Sequence, residues 1–309
     1  MPSTKAVKQR IKSVKNTAQI TKAMEVVSAT KMRRSQEFAL RARPYAVASL
    51  ELLFNLLERS NALPDLLAPR VVENTAILII ASDKGLAGAF NSNVIKKAEA
   101  LIGQNQKHGE KITVVTVGKK VKDYAERRGL DVAKSFWGFG DYSMPEETSP
   151  VADFLINGFI DRSFDEVTAI YTHFRTTLQQ DTIVKKILPA DPESLEAAIK
   201  SIIPEYGRFS ETRDPEPHER YNFEYAFEPS AKEILDVVIP QLIRIQMHHL
   251  LLESNASEHS SRMVAMKSAS DNAGELIDRL SIAYNKARQS SITQELTEIT
   301  AGREALESA

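Results

Sequence analysis

The stretch Val7-Lys-Gln-Arg-Ile11-Lys-Ser-Val14-Lys-Asn-Thr-Ala18 places apolar residues at steps of 4, 3 and 4 among lysines and polar side chains. That alternation is the seam of one helix lying along another. Ile20, Met24 and Val27 continue it on a slightly rotated face. Residues 3–59 contain no glycine and one internal proline, Pro44, so the pattern predicts a single long helix, bent or shifted in register at Pro44 and ended by Pro64 and Pro69. The seam is narrow and its flanks are charged, so this helix needs a partner to be stable.

The partner lies at the other end of the chain. Ser230-Ala-Lys-Glu233, preceded by Pro229, is a capping box that opens a second long helix over 230–306. Only Pro240, Gly274 and Gly302 interrupt it. At 1.5 Å per residue it would extend roughly 115 Å. Leu276, Leu280, Ala283 and Ala287 repeat the 4, 3, 4 spacing. Two terminal helices with matching seams satisfy each other as an antiparallel coiled coil, with a compact α/β body between them.

The middle of the chain changes period. Thr75-Ala-Ile-Leu-Ile-Ile-Ala81 is a short apolar run of the buried-strand type. Ile112–Val117, Val167–Phe174 and Thr182–Leu188 read as further strands, and Asn93–Ile102, Lys119–Arg128 and 149–162 as helices, the last with Ser149 as N-cap before Pro150. Alternating strand and helix imply a parallel or mostly parallel sheet covered by helices. Residues 189–222, with five prolines, read as a loop excursion in which Ala197–Ile203 could form a short helix. The domains are therefore 1–60, a first long helix; 70–228, the α/β body; and 229–309, a second long helix.

With 309 residues, 42% hydrophobic and 26% charged, the chain can build a real core. It has no cysteine, which removes disulfides, thiolate metal sites and cysteine nucleophiles. Its longest apolar run is six residues, Ala76–Ala81, against the about 20 of a bilayer span. A polar, basic start without an apolar signal core adds the expectation of a soluble, cytosolic-side chain. The net charge of −1 hides a segregation: residues 1–43 carry eleven Lys and Arg against Glu25 and Glu37. A local charge of +9 implies a partner of opposite sign. Phe38 is the single aromatic residue there, so a stacking platform for nucleic acid is lacking.

Catalytic signatures are weak. Ser82-Asp-Lys-Gly-Leu-Ala-Gly-Ala-Phe-Asn91 joins a strand to a helix, where phosphate loops sit, but Gly85 and Gly88 have no third glycine and no Gly-Lys-Ser/Thr beside them. A tight turn is the better account. No His-x-x-x-His pair exists among the six histidines, and no nucleophile elbow frames a serine. The expectation is no catalytic residue, no metal and no cofactor.

The C-terminal residues are more specific. Ala256-Ser-Glu-His-Ser-Ser-Arg-Met-Val-Ala-Met-Lys-Ser-Ala-Ser-Asp-Asn-Ala273 and Tyr284-Asn-Lys-Ala-Arg-Gln-Ser-Ser-Ile-Thr-Gln-Glu-Leu-Thr-Glu-Ile299 closely resemble the signature of the F-type ATP synthase gamma subunit family. Ile11–Thr17, Ile20–Glu25, Lys31-Met-Arg-Arg34, Ser82–Gly88, Asn91-Ser-Asn93 and Phe227-Glu-Pro229 agree, in the family's order over nearly the whole chain. The resemblance implies an antiparallel coiled coil with a Rossmann-like domain between its helices. It implies a non-catalytic rotor shaft, one copy per complex, inside a ring of three alpha and three beta subunits, with the α/β domain against the epsilon subunit and the membrane c-ring. Proton translocation through the c-ring would then be coupled to ATP synthesis or hydrolysis on beta.

Carried over residue by residue, the resemblance places Arg262, Gln289, Thr293 and Glu295 against the alpha and beta ring, and Met24 near an acidic beta loop. Lys31, Arg33 and Arg34 would face acidic beta residues, as exposed and individually weak contacts. Tyr225 and Glu228 match foot positions near the c-ring. The excursion at 189–222 looks longer than in bacterial members, and the cysteine pair of the plastid form is absent. The chain opens where bacterial members open, which implies a peripheral protein on the cytoplasmic face of a bacterial inner membrane, attached through the membrane sector only. The rival readings are a coiled-coil adaptor with an α/β binding module, and a nucleotide-dependent enzyme using residues 82–93. The shaft of the vacuolar-type ATPase lacks an α/β domain between its helices.

Overall fold

Three long apolar strands in the middle of the chain decide the body's architecture, because each buries both faces. A computed structural model describes residues 4–57, 64–200, 202, 228 and 230–307. These form α1 (Thr4–Leu57), β1 (Asn74–Ile80), α2 (Phe90–Lys107), β2 (Lys111–Val117), α3 (Lys119–Arg128), β3 (Val132–Phe136), α4 (Pro145–Ile160), β4 (Glu166–Phe174), β5 (Gln180–Leu188), α5 (Pro192–Lys200) and α6 (Ala231–Glu307). The chain divides into two compact units, residues 28–262 and the pair of helical stretches 1–27 and 263–309.

In the larger unit the strand order is β3-β2-β1-β4-β5, with β5 antiparallel to β4 and the other pairs parallel. Alternate side chains go to opposite faces. Leu78, Ile80, Val115, Val117 and Ala169 join the larger core, which includes Leu155 and Phe159 of α4, Leu50 and Leu53 of α1, and Leu235, Leu242 and Met247 of α6. Ile77, Ile79, Val114 and Ile170 face the other way, with Val94 and Ala98 of α2 and Val121 of α3. With helices on both faces the central strands lose the apolar-polar alternation of a half-exposed sheet, which is why β1 reads as an unbroken apolar run.

Two expectations for this unit need correction. The strand β3 has no apolar run; as an edge strand it exposes Ala133 and Lys134, and its Ser135 pairs with Thr116 through side-chain hydroxyls at 2.9 Å. Helix α4 begins at Pro145 rather than after Ser149. The Glu147 carboxylate accepts the Met144 N–H at 3.1 Å, so the cap lies one turn earlier. Pro150, inside the helix, has no N–H to offer the preceding turn, and the Ser149 hydroxyl donates to the Glu146 carbonyl instead at 3.1 Å. Likewise Pro44 and Pro240 lie within continuous α1 and α6 and end neither.

In the smaller unit α1 runs toward residue 28 and α6 away from residue 262, so the two stretches are antiparallel. Burial along them confirms a seam at steps of 3 and 4. On α1 it runs through Val7, Ile11, Val14, Ala18 and Thr21, and on α6 through Met266, Ala269, Ala273, Ile277, Leu280, Tyr284 and Ala287. It departs from the sequence reading by one residue in places: Ile20 is 60% exposed while Thr21 is buried, and Ile277 and Tyr284 are more covered than Leu276 and Ala283. A threonine is tolerated at the seam because its hydroxyl bonds the carbonyls of Thr17 and Ala18, both at 3.1 Å.

Candidate functional site

In an open, mostly parallel sheet the crevice at the carboxyl ends of the strands, where the connections diverge to opposite faces, is the usual ligand position. Here that divergence falls between β1, which leads to β2 through α2, and β4, which follows α4 on the other face. The crevice is filled by the chain's own α6. The Ser257 hydroxyl donates to the Thr172 carbonyl at 3.1 Å, and the Ser260 hydroxyl donates to the Thr177 carbonyl at 2.7 Å. The Arg262 guanidinium donates to the Gly85 carbonyl from Nε at 3.4 Å and from Nη2 at 3.3 Å. A fifth bond joins Ser261 to the Gln180 side chain at 3.0 Å. Within one and a half turns the helix therefore grips the loop after β1 and both ends of the β4–β5 turn.

The loop after β1 is tied down from within. Ser82 gives its N–H and hydroxyl to Asn91 Oδ1, at 3.1 and 2.9 Å. Asp83 accepts the N–H of Lys119 and of Gly138, both at 2.8 Å, joining the start of α3 to the loop after β3. Gly118, at φ +100°, lets that crossing pass: a Cβ there would lie 2.1 Å from the Ala81 carbonyl oxygen. Among the described residues no group of three or more His, Asp or Glu could hold a metal. No helix among them is long and apolar enough to cross a membrane.

The loop after β3 makes the second grip. Asp141 takes the Lys31 ammonium of α1 on Oδ2 at 2.5 Å and the His259 Nε2–H of α6 on Oδ1 at 2.8 Å, and its carbonyl accepts the Ser35 hydroxyl at 3.1 Å. Tyr142 stacks on Phe38, centroids 5.7 Å apart, and lies under Arg34. Arg262 Nη1 donates to His259 Nδ1 at 3.2 Å. Guanidinium has no acceptor, so His259 must be the neutral tautomer with its proton on Nε2. Burial first, and then Arg262 and Lys31, push His259 down to about 4 against the opposing pull of Asp141. Burial alone would raise Asp141, but the Lys31 hydrogen bond and the neighbouring positive field outweigh it and hold the carboxyl below its ordinary value. Burial raises Glu258 despite its ion pair with Arg262.

The residues singled out from sequence divide into three groups. Arg262 is 7% exposed and Lys31 half-buried, less open than the exposed contacts expected of them; within the chain Lys31 pairs with Asp141, and Arg262 with Glu258 and the Gly85 carbonyl. Arg33, Arg34, Gln289, Thr293 and Glu295 are exposed, and Met24 is half-buried on the coiled coil. Glu228 is exposed, and Tyr225 lies outside the described residues. Asp141 and Tyr142 escaped sequence reasoning. Asp141 is 110 residues from Lys31, and the aromatic, glycine-containing loop Trp137–Met144 that holds it has no periodicity to mark it.

Sequence comparison supplies the family. The family described as ATP synthase matches residues 3–306. The chain is 39% identical over 309 residues to the ATP synthase gamma chain of Roseiflexus castenholzii, covering 99% of each. To that of Synechocystis it is 39% identical over 315 residues, covering 99% of this chain and all of the other. Its fold is similar to the central stalk of the Tetrahymena thermophila mitochondrial ATP synthase, with TM-score 0.59, 25% identity, 81% of this chain and 99% of that one covered. A chain of the Euglena gracilis mitochondrial enzyme in a rotational state superposes with TM-score 0.64 at 17% identity, covering 98% and 94%, a likeness of fold. By sequence over its whole length the chain belongs to the ATP synthase gamma chain family, whose place in the enzyme is the central stalk.

Proposed function

We propose that this chain is the non-catalytic rotor shaft of a proton-driven ATP synthase, present once inside a ring of three alpha and three beta subunits. The observation that carries the reading lies beyond Ala287. From Arg288 to Arg303 every residue of α6 is exposed, although Ile292, Leu296 and Ile299 stand at steps of 4 and 3 with up to 67% of their surface free. An apolar helical stripe without a partner among the described residues calls for an enclosing partner surface.

The physical mechanism follows from symmetry. Three identical catalytic sites around a round axle would behave alike. A two-helix shaft is not round, so it offers each site a different face and biases it toward a different open or closed state. Turning the shaft shifts the three equilibria in sequence, and the coupling is reciprocal. Gln289, Thr293, Glu295, Met24, Arg33 and Arg34 are the ring-facing residues in this reading. Glu228 and Tyr225 serve the c-ring foot, and the α/β domain meets the epsilon subunit. The protein is peripheral, at the cytoplasmic face of a bacterial inner membrane.

Against the rival enzyme reading stand Ser257, Ser260 and Arg262, which bond backbone carbonyls at the carboxyl end of the sheet, where a nucleotide would sit. Native mass spectrometry of the affinity-purified complex tests the proposal. One copy of this chain per three alpha and three beta subunits is expected; purification of the chain without them would return the adaptor reading.

A further inference from the structure

The larger unit holds α1 and α6 by two kinds of contact. Ala39, Ala46, Leu50, Leu53 and Leu56 of α1 and the buried leucines of α6 pack into the apolar core. Such packing is non-directional: it resists separation strongly but sets the angle of a helix about its own axis weakly. Directional contacts add to it: α6 is bonded to the domain through Arg244, His248, Glu253 and the Ser257–Arg262 run, and at Asp141 a single residue bonds both helices. Asp141 gives one carboxylate oxygen to Lys31 of α1 and the other to His259 of α6, and its carbonyl accepts from Ser35. Charge-assisted and bidentate arrangements of this kind have narrow angular tolerance. His259 is in turn held by Arg262, which also holds the loop after β1.

We propose that Asp141 is a torque-bearing positioning residue, the hub that fixes the rotational setting of both shaft helices against the α/β domain. The inference rests on the central-shaft reading. It also gives the Ser257–Arg262 run a different use from a ring contact: five of its six side chains, together with Asp141, form the joint through which the domain drives the shaft.

The test uses the assembled complex. The chain has no native cysteine, so Lys107→Cys at an exposed site on α2 accepts a single rotation probe. Asp141→Ala is expected to widen each angular dwell, because it removes the residue of the polar network that is bonded to both helices. Lys31→Met, which removes one arm, should widen it less. Leu53→Ala, in the apolar part of the same contact, should lower thermal stability without widening the dwell. If Asp141→Ala does not assemble, Asp141→Asn and Lys31→Met decide. Unchanged dwell widths in assembled, turning complexes would overturn the proposal, as would equal widening by Leu53→Ala. A parent probe that never rotates would instead overturn the central-shaft reading itself.

Discussion

The Arg262 guanidinium rests on the carbonyl of Gly85, 177 residues away along the chain, and so closes the ligand crevice of the sheet with a side chain from a helix that continues well past it. The same group pairs with Glu258 and steers the tautomer of His259. Arg262→Ala removes the bonds to all three partners and leaves Glu258 buried without its cation. The expected cost is about 3 kcal/mol. Amide hydrogen exchange in residues 82–90 should accelerate with it, while exchange in β2 stays slow.

Gly118 is the most constrained backbone position described. Gly118→Ala would combine a left-handed φ of +100° with a Cβ placed 2.1 Å from the Ala81 carbonyl oxygen. Backbone cannot yield there without pulling β1 from α3. We expect a loss of at least about 3 kcal/mol and poor recovery of soluble protein. Gly103→Ala, where a Cβ meets nothing within 4 Å, is the control and should be stable.

Mild acid should weaken the larger unit through its buried histidines. His248 and His259 are both pushed by burial down to about 4. An unfolded chain protonates them near pH 6.5, the folded chain only near pH 4, so the unfolded state binds more protons between those values. Stability therefore falls as pH drops from 6.5 toward 4, by up to about 3 kcal/mol for each group. His249 is also lowered by burial and acts in the same direction. His173 opposes them: its hydrogen bond with Glu253 outweighs burial and raises it, so its contribution is present below pH 6.5 and is lost as pH rises through the raised value. Thermal melts at pH 7 and 5 should show a smaller drop for His259→Gln than for the parent; an equal drop would exclude His259 as a source.

Gln289 and Thr293 are exposed, and the Thr293 hydroxyl bonds the Gln289 carbonyl of its own helix at 3.0 Å. The double change to alanine should leave the melting curve within the range of surface substitutions, about ±0.5 kcal/mol. In the reconstituted complex the same change should lower coupled ATPase turnover. Equal turnover would remove these two residues from the ring contact.

Arg33 and Arg34 are exposed, whereas Lys31 is half-buried and paired with Asp141. Reversing the two arginines to glutamate should change the salt dependence of turnover, because exposed charges are screened over about 10 Å at 0.1 M salt. Salt response identical to the parent would make them a solvated face.

Periodicity carried the larger features because it is local. The steps between Val7 and Ala18 announce a helix seam, and the unbroken run from Ala76 to Ala81 announces a strand covered on both sides. The edge strand β3 was missed for the complementary reason: a strand that buries little writes little hydrophobic pattern. Within the seam, steps of 3 and 4 leave an uncertainty of one residue, and the sequence cannot choose Thr21 over Ile20 when the hydrophobic choice is the wrong one.

Sequence alone therefore determined the two long helices, the α/β class of the body and the family, since these rest on spacing and on motifs contiguous in the chain. Tertiary structure decided what the signature residues touch. Arg262 and Lys31 looked like surface charges, and became the fastenings of Gly85 and Asp141 only when the chain brought loops from different strands to the same end of the sheet. Hydrogen bonds depend on ångström distances between groups more than a hundred residues apart, and no linear spacing encodes those distances.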